Sequence, residues 1–598
     1  MKILCITGRL SIGIILLSLI VVINFVNLDT TLNLPISSNN ILKSCTREGY
    51  TFIWDEFDGA PGNQQGDDSV VFGSSFGPYH NYSELVKKLK NLNTTYPEII
   101  ELFSIGKTYF GRDIYCVRIT NESIALPKTE VVIVGQHHAH EQITVENALY
   151  FIDKVVFDFL SSSVLLQNLL NTKTIYVIPS LNIDGAELVS QFPWQRKTSR
   201  PIDEDGDGVE DEYEAQDTNK DGYIDRLIDE FNNFVGYEGI DLDGDGLIGN
   251  DAPGGVDPNR NYAYQFGDLT GASNNPSSWN YHGPKAFSEN CTARFRDFVM
   301  QRNFVTAVSL HSGMDYTMIL SPWAYKCELP TGIDRDLYIS TGTKLQELTG
   351  FSYATEDIYA CSGEWADWMY SHPNGTLLAF TFETYGNPSA FYSIYNDTTE
   401  YHHQRGVWDY CNPPADEVID NCAQVYPGLF FMAEEAPYLS IQTNNQQLGD
   451  YLQIKVIVTN PSLYVRTNGS ITLNCTVSQV AGLTFLNTTH IMNLGELEAK
   501  SSIPTTFVFS IDQPDYSIHI NLRAYGPKVG DAVTEYDLHS SQITTTTTTS
   551  ISTTSSTTSE VLRTNKTIDQ ITTGFNITGL AFLLILLIGI KNRKKFEK

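Results

Sequence analysis

The chain has 598 residues, of which 41% are hydrophobic and 12% aromatic, so it is long enough for several domains and apolar enough to bury a large core. Its formal net charge is −31, which argues against nucleic acid as a partner because phosphate binding needs a basic face. The acidity is concentrated between Asp203 and Asp251, where 18 acidic residues accompany one Lys and one Arg.

The N-terminal segment predicts an exported chain. Lys2 and Arg9 precede an apolar run over residues 10–26, which is typical of a signal peptide or of an uncleaved signal anchor. We assign residues 1–29 to this signal. Residues 30–78 are polar and rich in glycine, and we assign them to a leader segment.

Residues 79–435 alternate between helical and strand patterns, which predicts an α/β layer fold around a mixed, mostly parallel sheet. Residues 82–89 and 145–159 have helical spacing, and the second of these helices reads as amphipathic. The predicted strands are 101–105, 114–119, 131–134, 174–179, 304–310 and 377–382. In such sheets, ligand sites gather at the carboxyl ends of the strands.

His138 and Glu141 lie three residues apart in a loop that follows a predicted strand, a spacing that lets both side chains reach one zinc ion. The helical zincin motif needs a second His four residues after the first, but Thr144 occupies that position after His140. A catalytic zinc has three protein ligands, and His311 ends another apolar strand. We therefore predict that His138, Glu141 and His311 bind one zinc ion.

An acidic insertion over residues 201–256 contains three repeats of the spacing Asp-x-Asp/Asn-x-Asp-Gly. Carboxylates two residues apart, with glycine at the sixth position for a sharp turn, wrap a hard cation such as calcium. The first loop has Glu214 at its twelfth position, whereas Ile228 and Ala252 occupy that position in the others. In these two loops the last ligand would come from Asp225, Asp229 or Asp251. The alternative is that the insertion is a solvated acidic loop that binds no calcium. The predicted calcium ligands are Asp203, Asp205, Asp207, Glu214, Asp217, Asn219, Asp221, Asp225, Asp241, Asp243 and Asp245.

The C-terminal part changes character after residue 435. Strand-like runs separated by Asn, Pro and Gly predict an antiparallel β-sandwich over residues 436–540. A Thr/Ser-rich tract over 541–572 is typical of an O-glycosylated stalk. The apolar run over 573–591 predicts a transmembrane helix, and the basic residues 592–598 predict a cytoplasmic tail. Basic flanks outside both apolar runs place the middle of the chain outside the cell.

Cysteines and sequons are consistent with an exported glycoprotein. Eight cysteines lie beyond Cys5, and this even number makes disulfides an expectation, with Cys411–Cys422 as the easiest local pair. Potential N-glycosylation sites occur at Asn81, Asn374, Asn396 and Asn474.

Seven sequence blocks follow one another within the predicted α/β domain. They are residues 136–150, Asn182-Ile183-Asp184-Gly185, Arg196-Lys197-Thr198, Asp257-Pro258-Asn259-Arg260-Asn261-Tyr262, Leu310-His311-Ser312, Ile358-Tyr359 with Ser362-Gly363, and Phe380-Thr381-Phe382-Glu383. Together these blocks resemble the zinc carboxypeptidases of the carboxypeptidase A and T type. The resemblance implies their fold, one catalytic zinc and hydrolysis of C-terminal peptide bonds.

The resemblance also implies the chemical roles of several residues. Glu383 would act as general base and then protonate the leaving amine. Arg196 would stabilise the tetrahedral oxyanion. Asp257 is expected to orient a zinc-binding His. Tyr359 would close over the bound substrate.

Substrate recognition is expected to depend on Asn259 and Arg260, which would hold the free α-carboxylate of the substrate. The floor of the specificity pocket carries Glu364 beside Trp365 and Ala366, so both basic and apolar C-terminal side chains are expected. One departure from the family pattern occurs at the second residue after His138. His140 stands there, where the family usually has Arg.

The leading hypothesis is a membrane-anchored, extracellular zinc metallocarboxypeptidase acting on peptides or proteins with a free C-terminus. One alternative keeps the site but makes the protein an amidohydrolase of cell-wall peptides or of another amidated amino acid. A third hypothesis is an inactive, calcium-dependent surface-binding protein, but all the expected catalytic positions are retained.

Overall fold

The computed structural model describes most of the chain between residue 79 and residue 542. The described ranges are 79–203, 210, 216–220, 224–229, 234–239, 254–315, 317–322, 333–354, 360–372, 376–391, 402–404, 407–467, 469–487 and 490–542, together with the strands Lys43–Arg47, Tyr50–Trp54 and Thr548–Ser550. No helix within these ranges is both long and apolar enough to cross a membrane. The predicted signal, the predicted transmembrane helix and the predicted cytoplasmic tail all lie outside them.

The secondary structure alternates between helices and strands up to Glu435 and consists mainly of strands afterwards. The strands are β1 Lys43–Arg47, β2 Tyr50–Trp54, β3 Ile100–Lys107, β4 Asp113–Ile119, β5 Thr129–Val134, β6 Lys173–Ile178, β7 Arg226–Ile228, β8 Phe234–Tyr237, β9 Phe304–His311, β10 Met318–Leu320, β11 Ser352–Ala354, β12 Leu378–Glu383, β13 His402–Gln404, β14 Ser440–Leu448, β15 Tyr451–Thr459, β16 Ile471–Ala481, β17 Leu483–Phe485, β18 Ile491–Gly495, β19 Ser502–Ile511, β20 Ser517–Gly526, β21 Val529–His539 and β22 Thr548–Ser550. The α-helices are α1 Tyr82–Thr95, α2 Ile143–Leu160, α3 Val164–Thr172, α4 Ile183–Leu188, α5 Asn290–Val299, α6 Ile333–Thr349, α7 Trp365–Ser371, α8 Pro388–Phe391, α9 Val407–Cys411 and α10 Val418–Glu435.

An eight-stranded mixed sheet forms the centre of the α/β region, with the order β11-β10-β12-β9-β5-β6-β4-β3. Its four middle strands, from β12 to β6, run parallel. These strands are almost completely buried, which explains their continuous apolar runs. The predicted α/β fold class is therefore confirmed.

Strand register places two polar side chains at the same edge of this sheet. Glu383, the last residue of β12, pairs with His311, the last residue of β9. In the neighbouring strand, Val134 at the end of β5 pairs with Ser309 of β9. The carboxyl ends of the three strands are consequently level, and the loop that follows β5 starts beside His311.

Helix α2, which the sequence predicts to be amphipathic, is buried over most of its surface. Most of its residues are buried, because α10 covers the side that would otherwise meet water. Tyr150 of α2 packs edge-on against Tyr426 of α10, and Asn147 donates to Asn421 at 3.0 Å. A helix buried on both sides fixes the direction of the loop that leads into it.

The C-terminal part forms two antiparallel sheets, with the orders β17-β19-β15-β14-β22 and β18-β16-β20-β21. Strand β15 alternates, and its inward residues Leu452, Ile454, Val456 and Val458 are fully buried. The predicted β-sandwich is therefore confirmed. Strands β7 and β8 of the insertion form a small separate sheet with β13, which comes from a later part of the chain, in the order β13-β7-β8.

The α/β region and the β-sandwich pack directly against each other. Lys173, at the start of β6, is buried, donates to the carbonyl of Ala436 and lies 4.5 Å from the ring centroid of Tyr438. Thr129, at the start of β5, accepts a hydrogen bond of 2.9 Å from the backbone of Gly530. The sandwich therefore contacts the amino ends of β5 and β6, whereas His311 and Glu383 lie at the carboxyl ends of β9 and β12.

The cysteines correct one expectation. Cys411 and Cys422, expected to be the easiest disulfide pair, are buried free thiols. Cys422 accepts a hydrogen bond of 3.3 Å from Asn147 on α2, whereas the sulfur of Cys411 faces Gly313, just after β9. The two thiols sit on different helices and face different neighbours. Cys116, Cys291, Cys361 and Cys475 are also free thiols.

Candidate metal centre and active site

The loop between β5 and α2 carries two of the predicted metal ligands in a constrained backbone. A side chain at Gly135 would put its Cβ only 2.5 Å from the carbonyl oxygen of Pro179. Gln136 adopts a left-handed conformation, with φ of 55°. Its backbone N–H donates to the hydroxyl of Thr144 at 2.9 Å, which ties the loop to the first turn of α2. The chain therefore turns sharply out of the sheet, and this turn places His138 and Glu141 beside the carboxyl ends of the strands.

The structure brings His138, Glu141 and His311 together. Nδ1 of His138 lies 2.6 Å from Oε1 of Glu141, and Nδ1 of His311 lies 3.1 Å from Oε2 of the same carboxylate. The two Nδ1 atoms are 3.1 Å apart. All three side chains are buried, and their potential ligand atoms lie within 4.8 Å of one another.

This donor set fits a zinc ion. Two imidazole nitrogens facing each other at 3.1 Å can share at most one proton, so a cation between them is the more favourable arrangement. Burial raises the pKa of Glu141, but the two imidazoles outweigh that effect and hold the pKa well below its usual value. An ionised carboxylate with two imidazoles is the ligand set of one common class of catalytic zinc sites.

Asp257 links the metal ligands to the predicted oxyanion-binding arginine. Its Oδ1 lies 3.3 Å from Nε2 of His138, and its Oδ2 accepts a hydrogen bond of 3.0 Å from Nε of Arg196. It also accepts the backbone N–H of Asn259 at 2.8 Å. Burial raises the pKa of Asp257, but Arg196 and His138 hold it well below the usual value. A buried carboxylate on the outer nitrogen of a metal-binding His fixes the ring orientation.

Glu383 lies at the sheet edge next to His311 and is buried. Burial, reinforced by the negative charge of Glu141, raises the pKa of Glu383 to about 8. A dication bound by the neighbouring ligands would act in the opposite direction, because it favours the ionised carboxylate. The carboxyl group is therefore placed to exchange protons near neutral pH.

The two residues expected to hold the substrate carboxylate are rigidly supported. The side-chain oxygen of Asn259 accepts the backbone N–H of Trp365 at 2.9 Å. Arg260 donates through Nε to the carbonyl of Gly271 at 2.7 Å and through a terminal nitrogen to the carbonyl of Asn259 at 2.8 Å. Both side chains are buried. Tyr359, the predicted closing residue, lies outside the described residues.

Glu364 lies between helix α7 and strand β12. Its Oε2 accepts the backbone N–H of Asp367 at 3.0 Å and so caps the helix, while Oε1 is 3.4 Å from the hydroxyl of Thr381. Burial, reinforced by Asp367, raises the pKa of Glu364 to about 7. Thr381 and Glu383 are two residues apart on one strand, so their side chains point to the same face. Glu364 therefore lies on the face of β12 that carries Glu383.

Comparison with known proteins gives the same assignment. A family model described as zinc carboxypeptidase matches residues 85–401, which is more than half of the 598-residue chain. The chain belongs to the zinc carboxypeptidase family.

Carboxypeptidase A2 of Mus musculus is 26% identical over 331 residues, which cover 54% of this chain and 65% of that relative. The chain thus spans just under two thirds of that relative. Carboxypeptidase B of Astacus astacus is 27% identical over 315 residues, which cover 51% of this chain and 86% of the relative. The crystal structure of thrombin-activatable fibrinolysis inhibitor aligns with a TM-score of 0.44 and 18% identity, covering 61% of this chain and 76% of that one.

Within the zinc carboxypeptidase pattern, His140 is the departure that the structure clarifies. Its Nδ1 lies 2.9 Å from the carbonyl oxygen of Gln195, and its ring lies nearly parallel to that of His138 with centroids 6.5 Å apart. Burial lowers the pKa of His140 to about 4. At neutral pH the residue is therefore uncharged and cannot supply the cation that the family usually has at this position.

The sequence analysis missed two residues that support the metal centre. His137 stacks on His311 with ring centroids 5.3 Å apart, and its two nitrogens contact Ser309 at 3.0 Å and Tyr262 at 2.9 Å. Asn412 donates to the carbonyl of His140 at 2.8 Å and holds the metal-binding loop from the side of α9. The adjacent His137-His138 pair was visible in the sequence, whereas nothing local marks Asn412.

The acidic insertion is described only in part. Among the predicted calcium ligands, Asp203, Asp217, Asn219 and Asp225 lie within the described residues. The remaining ones lie outside, namely Asp205, Asp207, Glu214, Asp221, Asp241, Asp243 and Asp245.

A further carboxylate of this insertion was not predicted. Glu238 is buried and accepts the backbone N–H groups of Thr218 and Asn219 at 2.9 and 2.8 Å. Asn219 in turn donates to Asp225 at 3.0 Å. Glu238 therefore holds the start of the second repeat in a tight turn.

Proposed function

We propose that this protein is a zinc-dependent carboxypeptidase that releases single residues from peptides with a free C-terminus. The observation that carries the proposal is the convergence of three groups at one sheet edge. These groups are the buried ligand set, the carboxyl group of Glu383 and the supported Asn259-Arg260 pair. Family membership supports the same reaction class.

The side chains divide the reaction between them. Zinc bound by His138, Glu141 and His311 supplies Lewis acidity. Glu383 takes a proton from the attacking water and returns it to the leaving amine. Arg196 is fixed through Nε by Asp257, so its terminal nitrogens are oriented for the negative charge that develops on the carbonyl oxygen.

The test compares matched peptides with a free or an amidated C-terminus. We expect zinc-dependent cleavage of the free peptide, loss of activity with a chelator, and recovery on addition of zinc. Glu383→Gln should lower kcat by about 10²–10⁴-fold without changing zinc content. Equal cleavage of the amidated peptide would rule out the carboxypeptidase and favour the amidohydrolase. Full activity of Glu383→Gln would contradict the proposed general base.

We further propose that the catalytic region is extracellular and anchored in a membrane. The proposal rests on the two apolar runs, residues 10–26 and 573–591, and on their basic outer flanks. Intact cells that express the chain should react with a membrane-impermeant amine reagent at lysines between the two runs. Labelling only after permeabilisation would contradict the orientation.

Calcium binding by the acidic insertion is a separate proposal, supported by the three repeats and by the tight turn that Glu238 holds. A ligand that binds only the folded state adds about 2.7 kcal/mol at a hundredfold excess over its Kd. We expect calcium to raise the Tm of protein first stripped of it, and to do so less in an Asp203→Ala, Asp205→Ala double variant. The control Asp416→Ala, Asp420→Ala, which removes two exposed carboxylates elsewhere, should respond as the natural protein does. If millimolar calcium does not change the Tm, the proposed calcium binding is contradicted and the insertion is a solvated acidic loop.

A further inference from the structure

A large cavity lies between the α/β region and the β-sandwich, away from the metal centre. Its volume is about 740 Å³, within the range of small-ligand sites. It is lined at the start of β5, whereas the metal-binding loop follows the end of the same strand. A six-residue strand spans about 20 Å, so the cavity is well separated from the zinc ligands.

Both parts of the protein contribute charged side chains to this interdomain cavity. Lys128, Glu130 and Arg302 line it from the α/β region. Lys528 and Asp531 line it from the hairpin β20–β21 of the sandwich. The hairpin is held in place by the backbone N–H of Asp531, which donates to the carbonyl of Pro127 at 2.9 Å.

Arg302 is the most informative of these side chains. Its guanidinium lies 5.2 Å from the ring centroid of Tyr176 and 5.3 Å from that of Phe298. Its Nε is buried and has no hydrogen-bond partner among the described residues, and no ion pair to Arg302 occurs within them. The two rings hold the planar group in one orientation, so that its terminal nitrogens are the donors left for a ligand. Arg302 is therefore preorganised for an acceptor that the protein itself does not provide.

Lys128 adds a second charge without a carboxylate partner at contact distance. Its Nζ donates to the hydroxyl of Thr120 at 2.7 Å and to the carbonyls of Asn121 and Leu170 at 2.6 and 2.9 Å, all of which are neutral. Burial lowers the pKa of Lys128 to about 8. A negative charge in the cavity would offset the cost of keeping this amine protonated.

The carboxylates of the cavity are already engaged. Glu101 pairs with Arg118, and Asp531 accepts from Nε of Arg523 at 2.6 Å. Glu130 accepts the backbone N–H of Asn303 at 2.7 Å and the hydroxyl of Tyr176 at 3.2 Å. Arg118, which also lines the cavity, is paired with Glu101 and Glu122. Among the described residues, Arg302 and Lys128 are therefore the two lining cations shown to lack a carboxylate at contact distance, in a chain whose net charge is −31.

We propose that the interdomain cavity binds an oxyanion. The fork of Arg302 would receive a carboxylate, sulfate or phosphate group in a bidentate manner, and Lys128 and Lys528 would add charge. The oxyanion could come from a free anion or from an acidic side chain of a peptide. Because the sandwich supplies Lys528, the ligand would contact both parts of the protein at once.

The experiment is isothermal titration of the purified full-length chain, at constant ionic strength, with two probes. One probe is inorganic sulfate, and the other is a hexaglutamate peptide acetylated at its N-terminus and amidated at its C-terminus, which the carboxypeptidase site should not retain. We expect at least one probe to bind with a submillimolar Kd. Preference for sulfate would identify a free anion as the source, and preference for the peptide an acidic segment.

Two matched variants test the role of Arg302. Arg302→Met keeps a long side chain against Tyr176 and Phe298 but removes the charge, and should weaken binding about tenfold or more. The control is Arg296→Met, since Arg296 also lies over an aromatic ring, that of Phe287 at 5.0 Å, but is paired with Asp297. The control should bind as the natural protein does.

Two results would overturn the proposal. The first is that neither probe binds at concentrations up to about ten times the 1 mM upper limit expected for Kd. The second is equal loss of binding in Arg302→Met and Arg296→Met. If Arg302→Met fails to fold, Lys528→Met at the hairpin tip replaces it, and unchanged binding in that variant would contradict the proposed site. Hydrolysis of a neutral peptide is measured in parallel, so this result is independent of the carboxypeptidase activity.

Discussion

Asp257 is the residue on which the candidate active site depends most outside the metal ligands. One oxygen faces the outer nitrogen of His138, and the other fixes Arg196. The same carboxylate also holds the backbone of Asn259. A single buried charge therefore orients a metal ligand, the predicted oxyanion donor and the start of the predicted carboxylate-binding segment.

We predict that Asp257→Asn weakens zinc binding about 10–100-fold, because a neutral amide no longer strengthens and orients His138. The measurement is competition with a chelating chromophore. Asp184→Asn is the matched control, since Asp184 is also buried and accepts hydrogen bonds from Arg112 and Thr108 but does not contact the metal ligands. Equal loss of zinc affinity in both variants would point to general destabilisation instead.

Glu364 leads to a prediction about pH. With its pKa raised to about 7, the carboxyl group is neutral below that pH and charged above it. If Glu364 lines the specificity pocket, the ratio of kcat/KM for C-terminal Arg over C-terminal Leu should rise as pH increases through 7. Glu383 affects both substrates equally and cancels from the ratio.

Glu364→Gln keeps an oxygen that can cap α7 but cannot ionise, so in that variant the ratio should be low and independent of pH. A ratio that still rises through pH 7 in Glu364→Gln would show that another group determines the preference for basic residues.

At the scale of elements, strand β5, the metal-binding loop and helix α2 act as one unit. The loop is short, and its backbone passes close to the next strand, so Gly135 has no room for a side chain beside Pro179. Thr144 and Asn412 hold the two sides of the loop. The position of the zinc ligands therefore depends on close packing of backbone against backbone.

We predict that Gly135→Ala lowers both stability and zinc affinity. Its Cβ would meet the carbonyl oxygens of Pro179 at 2.5 Å and Thr144 at 3.0 Å, and relieving this contact costs about 1–3 kcal/mol and shifts the loop. The control is Gly111→Ala, where φ is +82° but no atom lies within 4 Å. It should cost about 1–2 kcal/mol of backbone strain and leave zinc affinity unchanged. Undiminished zinc affinity in Gly135→Ala would mean that the loop adapts.

For the whole molecule, the junction between the α/β region and the β-sandwich contains a buried amine. Lys173 is about 1% exposed, and burial lowers its pKa from the usual 10.5 to about 7. Below pH 7 both the folded and the unfolded chain carry the proton, and the full cost of burying the charge is present. Between about pH 7 and 10.5 the folded chain has released the proton whereas the unfolded chain still carries it, so the free energy of unfolding rises with pH.

We predict that the free energy of unfolding, measured by denaturant titration, increases between pH 7 and 10.5 more steeply in the natural protein than in Lys173→Met. Each unit of pKa difference corresponds to about 1.4 kcal/mol, so the total effect is on the order of a few kcal/mol. Lys455→Met, at an exposed position of β15, should keep the natural slope. Identical slopes in all three proteins would mean that Lys173 is not buried in its charged form.

Local patterns were sufficient for a large part of the fold. Apolar runs located the buried strands β5, β6, β9 and β12, and the strand-like runs over residues 436–540 indicated the β-sandwich. Helix α10 was not predicted, although it makes α2 a buried helix. A local pattern reports how apolar a segment is, but it does not report which distant segment will cover it.

By itself, the sequence determined the family, the fold class and the grouping of His138, Glu141 and His311, since strands that end at one sheet edge bring their following residues together. Only the tertiary structure decided the contacts of Asp257, the neutral state of His140 and the existence of the interdomain cavity. Each of these depends on the distance between segments far apart in the chain and on exclusion of water from them. Spacing within a single segment contains no information about either quantity.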